Sequence, residues 1–252
     1  MSSLKGVLLD VGGTLWPDVW SDTAGLDSVR ARRLSVLAGI PIREAASLAR
    51  TLESLATQKL ATNLHRDTDG LIRGAVDHLW PAGASAGMVA AVRQGMCLPA
   101  AAHITLFDGV RDLLRDLRRR GLRPVLVTNS NWRDAVAYRR DLEAFGCGSY
   151  VHAIVTSLDV GYRKPHPAIF RAALEAAECP PESCAVVGNS ELNDIRPAIE
   201  LGARSVLVAI ESDPRRGHGG RRHRHVDPAT APDPLRMDRR IMRNASVYRP
   251  LR

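Results

Sequence analysis

Short apolar runs that break off into polar clusters recur along the chain and set the first expectation. KGVLL over residues 5–9 runs into Asp10 and a glycine pair, which is how a buried parallel strand hands a side chain to a loop. The same pattern returns in PVLVTNS (124–130), AIVTS (153–157), CAVVGNS (184–190) and SVLVAI (205–210). Between these runs the period changes from strand-like to helical. VRDLLRDLRRRG (110–121) ends on arginines and a glycine suited to a helix C-terminus, and AIFRAALEAAE (168–178) consists of strong helix formers. Strand alternating with helix predicts an α/β, doubly wound, Rossmann-like parallel sheet. Ligands of such sheets lie beyond the carboxyl ends of the strands, where each of these polar clusters would fall.

Residues 16–103 interrupt that rhythm with no convincing strand. Helices are predicted over 25–38, 42–63, 68–80 and 84–95, separated by Pro41, the Pro81–Gly83 turn and Pro99. The division that follows is a core from 1–15 and 104–210, an inserted all-helical domain over 16–103, and a tail over 211–252. Because the insert leaves the core just after Asp10, it is expected to stand over the strand ends as a lid.

Charge and composition narrow the class. The net charge is +8, but residues 211–252 hold 11 Arg against 5 acidic residues, so that +6 belongs to the tail and +2 to everything before it. A near-neutral globular body points away from nucleic acid as a partner and says little about the substrate. The tail has no apolar periodicity and reads as a solvated, disordered segment; its Arg-, His-, Gly- and Pro-rich make-up is also what GC-rich codons yield in a shifted reading frame. No apolar run is long enough for a membrane span and no signal peptide is evident, so a cytoplasmic location is expected. The cysteines at 97, 147, 179 and 184 show no CxxC spacing, and all four are expected to stay thiols. The chain has 32 Arg and three Lys, at positions 5, 59 and 164, which makes each lysine worth a separate look.

Four separated segments now carry a resemblance: LLDVGGTL (8–15), VLVTNS (125–130), GYRKPHPAIF (161–170) and VVGNSELNDIRPAIELGA (186–203). In order and spacing they are similar to the motifs of the haloacid dehalogenase superfamily of hydrolases, with the helical insert in the place of that family's cap. The resemblance implies that Asp10 is a nucleophile forming a covalent aspartyl intermediate, that Thr128 donates a hydrogen bond to a phosphoryl oxygen, and that Lys164 stabilises the charge. It further implies Gly12, Gly13 and Asn129 against the substrate, and Mg2+ held by Asp10, the Gly12 carbonyl, Asn189 and Asp194.

Two positions depart from the family pattern. Its phosphatases carry a second Asp two residues after the nucleophile, as acid and then base; here that position is Gly12. Asn189 stands where an anionic metal ligand is usual, which weakens the magnesium site. The expected activity is a phosphomonoesterase on a small phosphorylated metabolite with atypical acid catalysis. A 2-haloacid dehalogenase, a phosphonate-cleaving hydrolase using Lys59, and a catalytically silent binding member stay open. Trp16 and Trp20 are expected to pack the insert on the core, His103 and His166 to be turn or surface residues, and Asn131 and Arg163 to lie near the pocket.

Overall fold

A computed structural model of the chain describes residues 3–18, 24–58, 67–80 and 83–208. Lys59, Trp20 and the tail with its reading-frame hypothesis lie outside the described residues. The five predicted strands form one sheet: β1 (Gly6–Leu9), β2 (Arg123–Thr128), β3 (Ala153–Thr156), β4 (Cys184–Gly188) and β5 (Arg204–Leu207). Every pairing is parallel and the order is β3-β2-β1-β4-β5. The central β1 is flanked by β2 on one side and β4 on the other, with Leu9 opposite both Leu126 and Val187. The strand order reverses at β1, so its carboxyl end opens at the switch point where such sheets place ligands.

Alternation along β1 feeds two cores. Val7 and Leu9 pack with Leu114 and Leu117 of α5 (Val110–Arg119), while Leu8 packs on the opposite face with Ile169 and Phe170 of α8 (Pro167–Ala176). The buried positions of α5, Val110, Leu114 and Leu117, follow the helical period. In α8 the proline takes the first turn, where no N–H is needed, and His166 Nδ1 caps the helix by accepting from the Ala168 N–H at 3.2 Å. The remaining core helices are α6 (Ala135–Ala144), the single turn α7 (Ser157–Val160) and α9 (Arg196–Glu200).

The insert is helical, as its periodicity predicts: α1 (Ala24–Ala38), α2 (Ile42–Gln58), α3 (Thr68–Leu79) and α4 (Ala86–Met96). Ala45, Leu48, Ala49, Leu52 and Ala56 form the buried stripe of α2. Asp67 and Ser85 cap α3 and α4 by accepting from backbone N–H groups three residues on. These helices share a hydrophobic cluster that also takes in Trp132, a residue from the loop after β2. Trp16 belongs to the core cluster instead, fully buried and stacked on Tyr138 at a centroid distance of 5.8 Å. No helix among the described residues is long and apolar enough to cross a membrane.

The expectation of four thiols needs correction. Cys179 and Cys184 are joined in a disulfide, and Cys97 and Cys147 are free. The 3-10 turn Pro181–Ser183 between the two cysteines brings their Cα atoms to 6.8 Å, and their sulfurs lie over Gly6 of the neighbouring strand, where a side chain would leave no room. Spacing along the chain gives no sign of that fit.

Candidate active site

Asp10 sits one residue beyond β1, its N–H still bonded to the Val187 carbonyl at 2.8 Å, so the sheet fixes its backbone. The loop then folds on itself: the Val11 carbonyl accepts from Thr14 and Leu15, and the Gly13 N–H donates to Trp16 O at 2.8 Å. The turn gives the Thr14 hydroxyl a hydrogen bond to Asp10 Oδ2 at 2.8 Å. Gly13 has φ +73°, and a Cβ there would run into the Asn189 amide, so backbone and neighbour both require glycine.

Lys164 reaches the same point from the loop before α8. Its Nζ donates to Asp10 Oδ1 and to Asp194 Oδ1, each at 2.6 Å, and its side chain is 3 % exposed. Burial alone pulls its pKa down, but the charges of Asp10 and Asp194 and their hydrogen bonds outweigh this and leave it above the usual lysine value. Asp194 lies in a π-helical turn, Glu191–Ile195, and its Oδ2 accepts from the Ser190 N–H at 3.1 Å. The site is therefore a buried cation between two carboxylates, with the outer oxygens of both also hydrogen-bonded.

Above this floor is a cavity of about 490 Å³. Thr128, at the end of β2, lines it with Asp10, Lys164 and Asp194, so the three expected catalytic residues and the downstream carboxylate share one space. Gly12 and Asn189 also line it. Asn129, expected against the substrate, also lines it, and both ends of its amide engage Lys164: its Oδ1 accepts from the Lys164 N–H at 2.7 Å and its Nδ2 donates to the Lys164 carbonyl at 3.1 Å. Arg163 and Asn131 lie in the cavity wall and pair with each other at 2.9 Å.

The opposite wall comes from the insert, and the sequence does not single out the residues that form it. Arg30 of α1 pairs with Glu53 of α2 at 3.0 Å, and Glu53 also accepts from Trp132 Nε1 at 2.7 Å, tying the insert to the loop after β2. Asp18 was missed as well. It is exposed toward the cavity beside Gly12; partial enclosure of its carboxyl pushes its pKa up, and the Asp10 charge adds to that. The available signal was weak: Asp18 is the next acid along the chain after Asp10.

Among the described residues no group of three or more His, Cys, Asp or Glu side chains gathers as a metal site. What the cavity floor offers is an all-oxygen set of two carboxylates, Asp10 and Asp194, with the Asn189 amide alongside. Mg2+ is commonly held by one or two carboxylates completed by waters and a substrate phosphate, so this set fits that ion with less charge than a three-carboxylate site.

Comparison with known proteins follows the same lines. The family model described as haloacid dehalogenase-like hydrolase matches residues 4–202. Glyceraldehyde 3-phosphate phosphatase of Methanothermobacter thermautotrophicus is 27 % identical over 211 residues, covering 82 % of this chain and 87 % of that protein. Among solved structures, a HAD phosphatase from Thermococcus onnurineus is similar with a TM-score of 0.53 and 22 % identity over 85 % of this chain and 90 % of that one. A 2-haloacid dehalogenase from Pseudomonas syringae pv. Tomato DC3000 gives the same TM-score of 0.53 at 21 % identity, over 84 % and 91 % of the two chains. At these identities the structural likenesses speak to the fold.

Proposed function

The chain belongs to the haloacid dehalogenase-like hydrolases, and within that family we propose that it hydrolyses the phosphate monoester of a small metabolite through a covalent intermediate on Asp10. One observation carries the reading: the Asp10 carboxylate is held at the floor of a half-open cavity by Lys164, a lysine itself fixed by Asp194 and Asn129. A carboxylate held in place by an adjacent cation is oriented to act as a nucleophile, and that cation lies where negative charge collects on the transferring group. Thr128 supplies a hydroxyl donor from the neighbouring strand end. In the reaction an Asp10 oxygen bonds to phosphorus as the ester oxygen departs, and water then displaces Asp10 to release inorganic phosphate. Asp10, Asp194 and Asn189 would hold Mg2+, which supplies further positive charge to the phosphoryl oxygens. The cavity volume of about 490 Å³ suits a small metabolite. The phosphatase relative that aligns over most of both chains supports the substrate class.

Gly12 favours a second reading, since expulsion of halide needs no acid at that position. A panel of phosphate esters run with and without Mg2+, beside a 2-haloacid, separates the two. Release of phosphate, strengthened by Mg2+ and abolished by Asp10→Asn, is the expected result. Halide release without phosphate release would reverse it.

A further inference from the structure

The loop after β1 brings a carboxyl back to a place from which no side chain projects. Gly12 forms a parallel bridge with Trp16, the Gly13 N–H holds the Trp16 carbonyl at 2.8 Å, and Pro17 leads into Asp18. A Cβ built on Gly12 would lie 3.6 Å from both Cγ and Oδ1 of Asp18 and 3.8 Å from its Cβ. The Asp18 carboxyl therefore fills the space that a side chain at position 12 would enter. Both residues line the cavity that holds Asp10.

The other acids of that cavity are differently engaged. Asp194 is 1 % exposed and bonded to Lys164 and the Ser190 N–H; Glu53 sits on the insert wall, bonded to Arg30 and Trp132. Asp18 is exposed to the cavity, on the same loop as Asp10. An alkyl phosphate needs such a group, because an alkoxide leaves poorly without a proton and water attacks a phosphoaspartate slowly without a base.

We propose that Asp18 is the general acid and base of the hydrolysis. The role rests on the phosphate-ester reading above. As an Asp10 oxygen bonds to phosphorus and the phosphorus–ester oxygen bond breaks, the Asp18 carboxylic acid gives its proton to the departing oxygen, and the alcohol leaves. The resulting Asp18 carboxylate takes a proton from water as the water oxygen bonds to phosphorus and the Asp10–phosphorus bond breaks. Inorganic phosphate departs, and Asp18 is again protonated.

The test compares the wild type with Asp18→Asn on glycerol phosphate, whose alkoxide needs a proton, and on 2,4-dinitrophenyl phosphate, whose phenolate leaves without one. For Asp18→Asn, kcat/KM on glycerol phosphate should fall about 10²- to 10⁴-fold. With the dinitrophenyl ester the first step should be nearly unchanged, so that one equivalent of phenolate appears in a burst before slow release of phosphate. Adding Gly12→Asp to Asp18→Ala, which clears the space beside Gly12, should recover at least about tenfold on glycerol phosphate over Asp18→Ala alone, by the same acid–base chemistry from the neighbouring position. Equal losses on both esters, or no loss on either, would overturn the role of Asp18 while leaving the phosphatase reading in place. A wild type inactive on every ester would overturn that reading and this role with it.

Discussion

Asn129 holds the backbone of Lys164 with both ends of its amide, accepting from the N–H at 2.7 Å and donating to the carbonyl at 3.1 Å. The pair joins the end of β2 to the loop before α8, and it aims the lysine at Asp10 and Asp194. Replacing Asn129 by Ala removes two partly buried hydrogen bonds, a loss of about 1 to 3 kcal/mol in stability. If Asn129 positions the lysine, kcat should fall about 10- to 100-fold with KM changed much less. Asn129→Asp keeps the acceptor and loses the donor, so it should lie between Ala and the wild type. Steady-state kinetics on the three proteins checks the order.

Lys164 also sets a pH window for stability. Its folded pKa lies above the ordinary 10.5, so protonation favours the folded chain. The contribution is complete below about pH 10.5 and is lost as pH climbs through the folded value. Lys164→Met leaves two buried carboxylates without their cation and should cost about 3 to 5 kcal/mol at pH 8. The gap between wild type and variant should narrow as urea unfolding is repeated above pH 10.5. A gap that stays constant across that range would contradict the assignment.

Gly13→Ala tests the loop that carries Asp10. The φ of +73° penalises any side chain, by about 1 to 2 kcal/mol, and the new Cβ would strike the Asn189 amide. Pairing the change with Asn189→Ala removes the collision and leaves the backbone term. The double variant should therefore unfold at a higher urea concentration than independent effects would give.

The strands and helices were legible because their signal is local. Apolar runs ending at Asp10, Thr128 and Gly188 mark strand ends, and a helical stripe such as Leu48, Ala49 and Leu52 lies within one turn. The motif resemblance likewise picked out Asp10, Thr128, Lys164 and Asp194, all of which line one cavity. What escaped the sequence depends on residues far apart in the chain. Asn129 and Lys164 are 35 positions apart and Trp132 and Glu53 are 79, and no periodicity relates such pairs. The Cys179–Cys184 bond depends on the room above Gly6, a residue of another strand. Asp18 escaped for a different reason: the motif places a carboxyl at the position of Gly12, and nothing local in the sequence shows that the loop turns back and brings a carboxyl beside it six residues later.

Trp132 enters the chain with the strand that carries Thr128, yet its indole packs among the helices of the insert. The boundary a reader would draw along the polypeptide is thus not the boundary between the two apolar interiors. A graft that moved the helical segment onto a different member of the fold would arrive with a hollow the size of an indole and with Glu53 missing one of its donors. Any exchange of this helical segment between members of the family would have to carry this tryptophan, or a substitute for it, on the recipient's own loop.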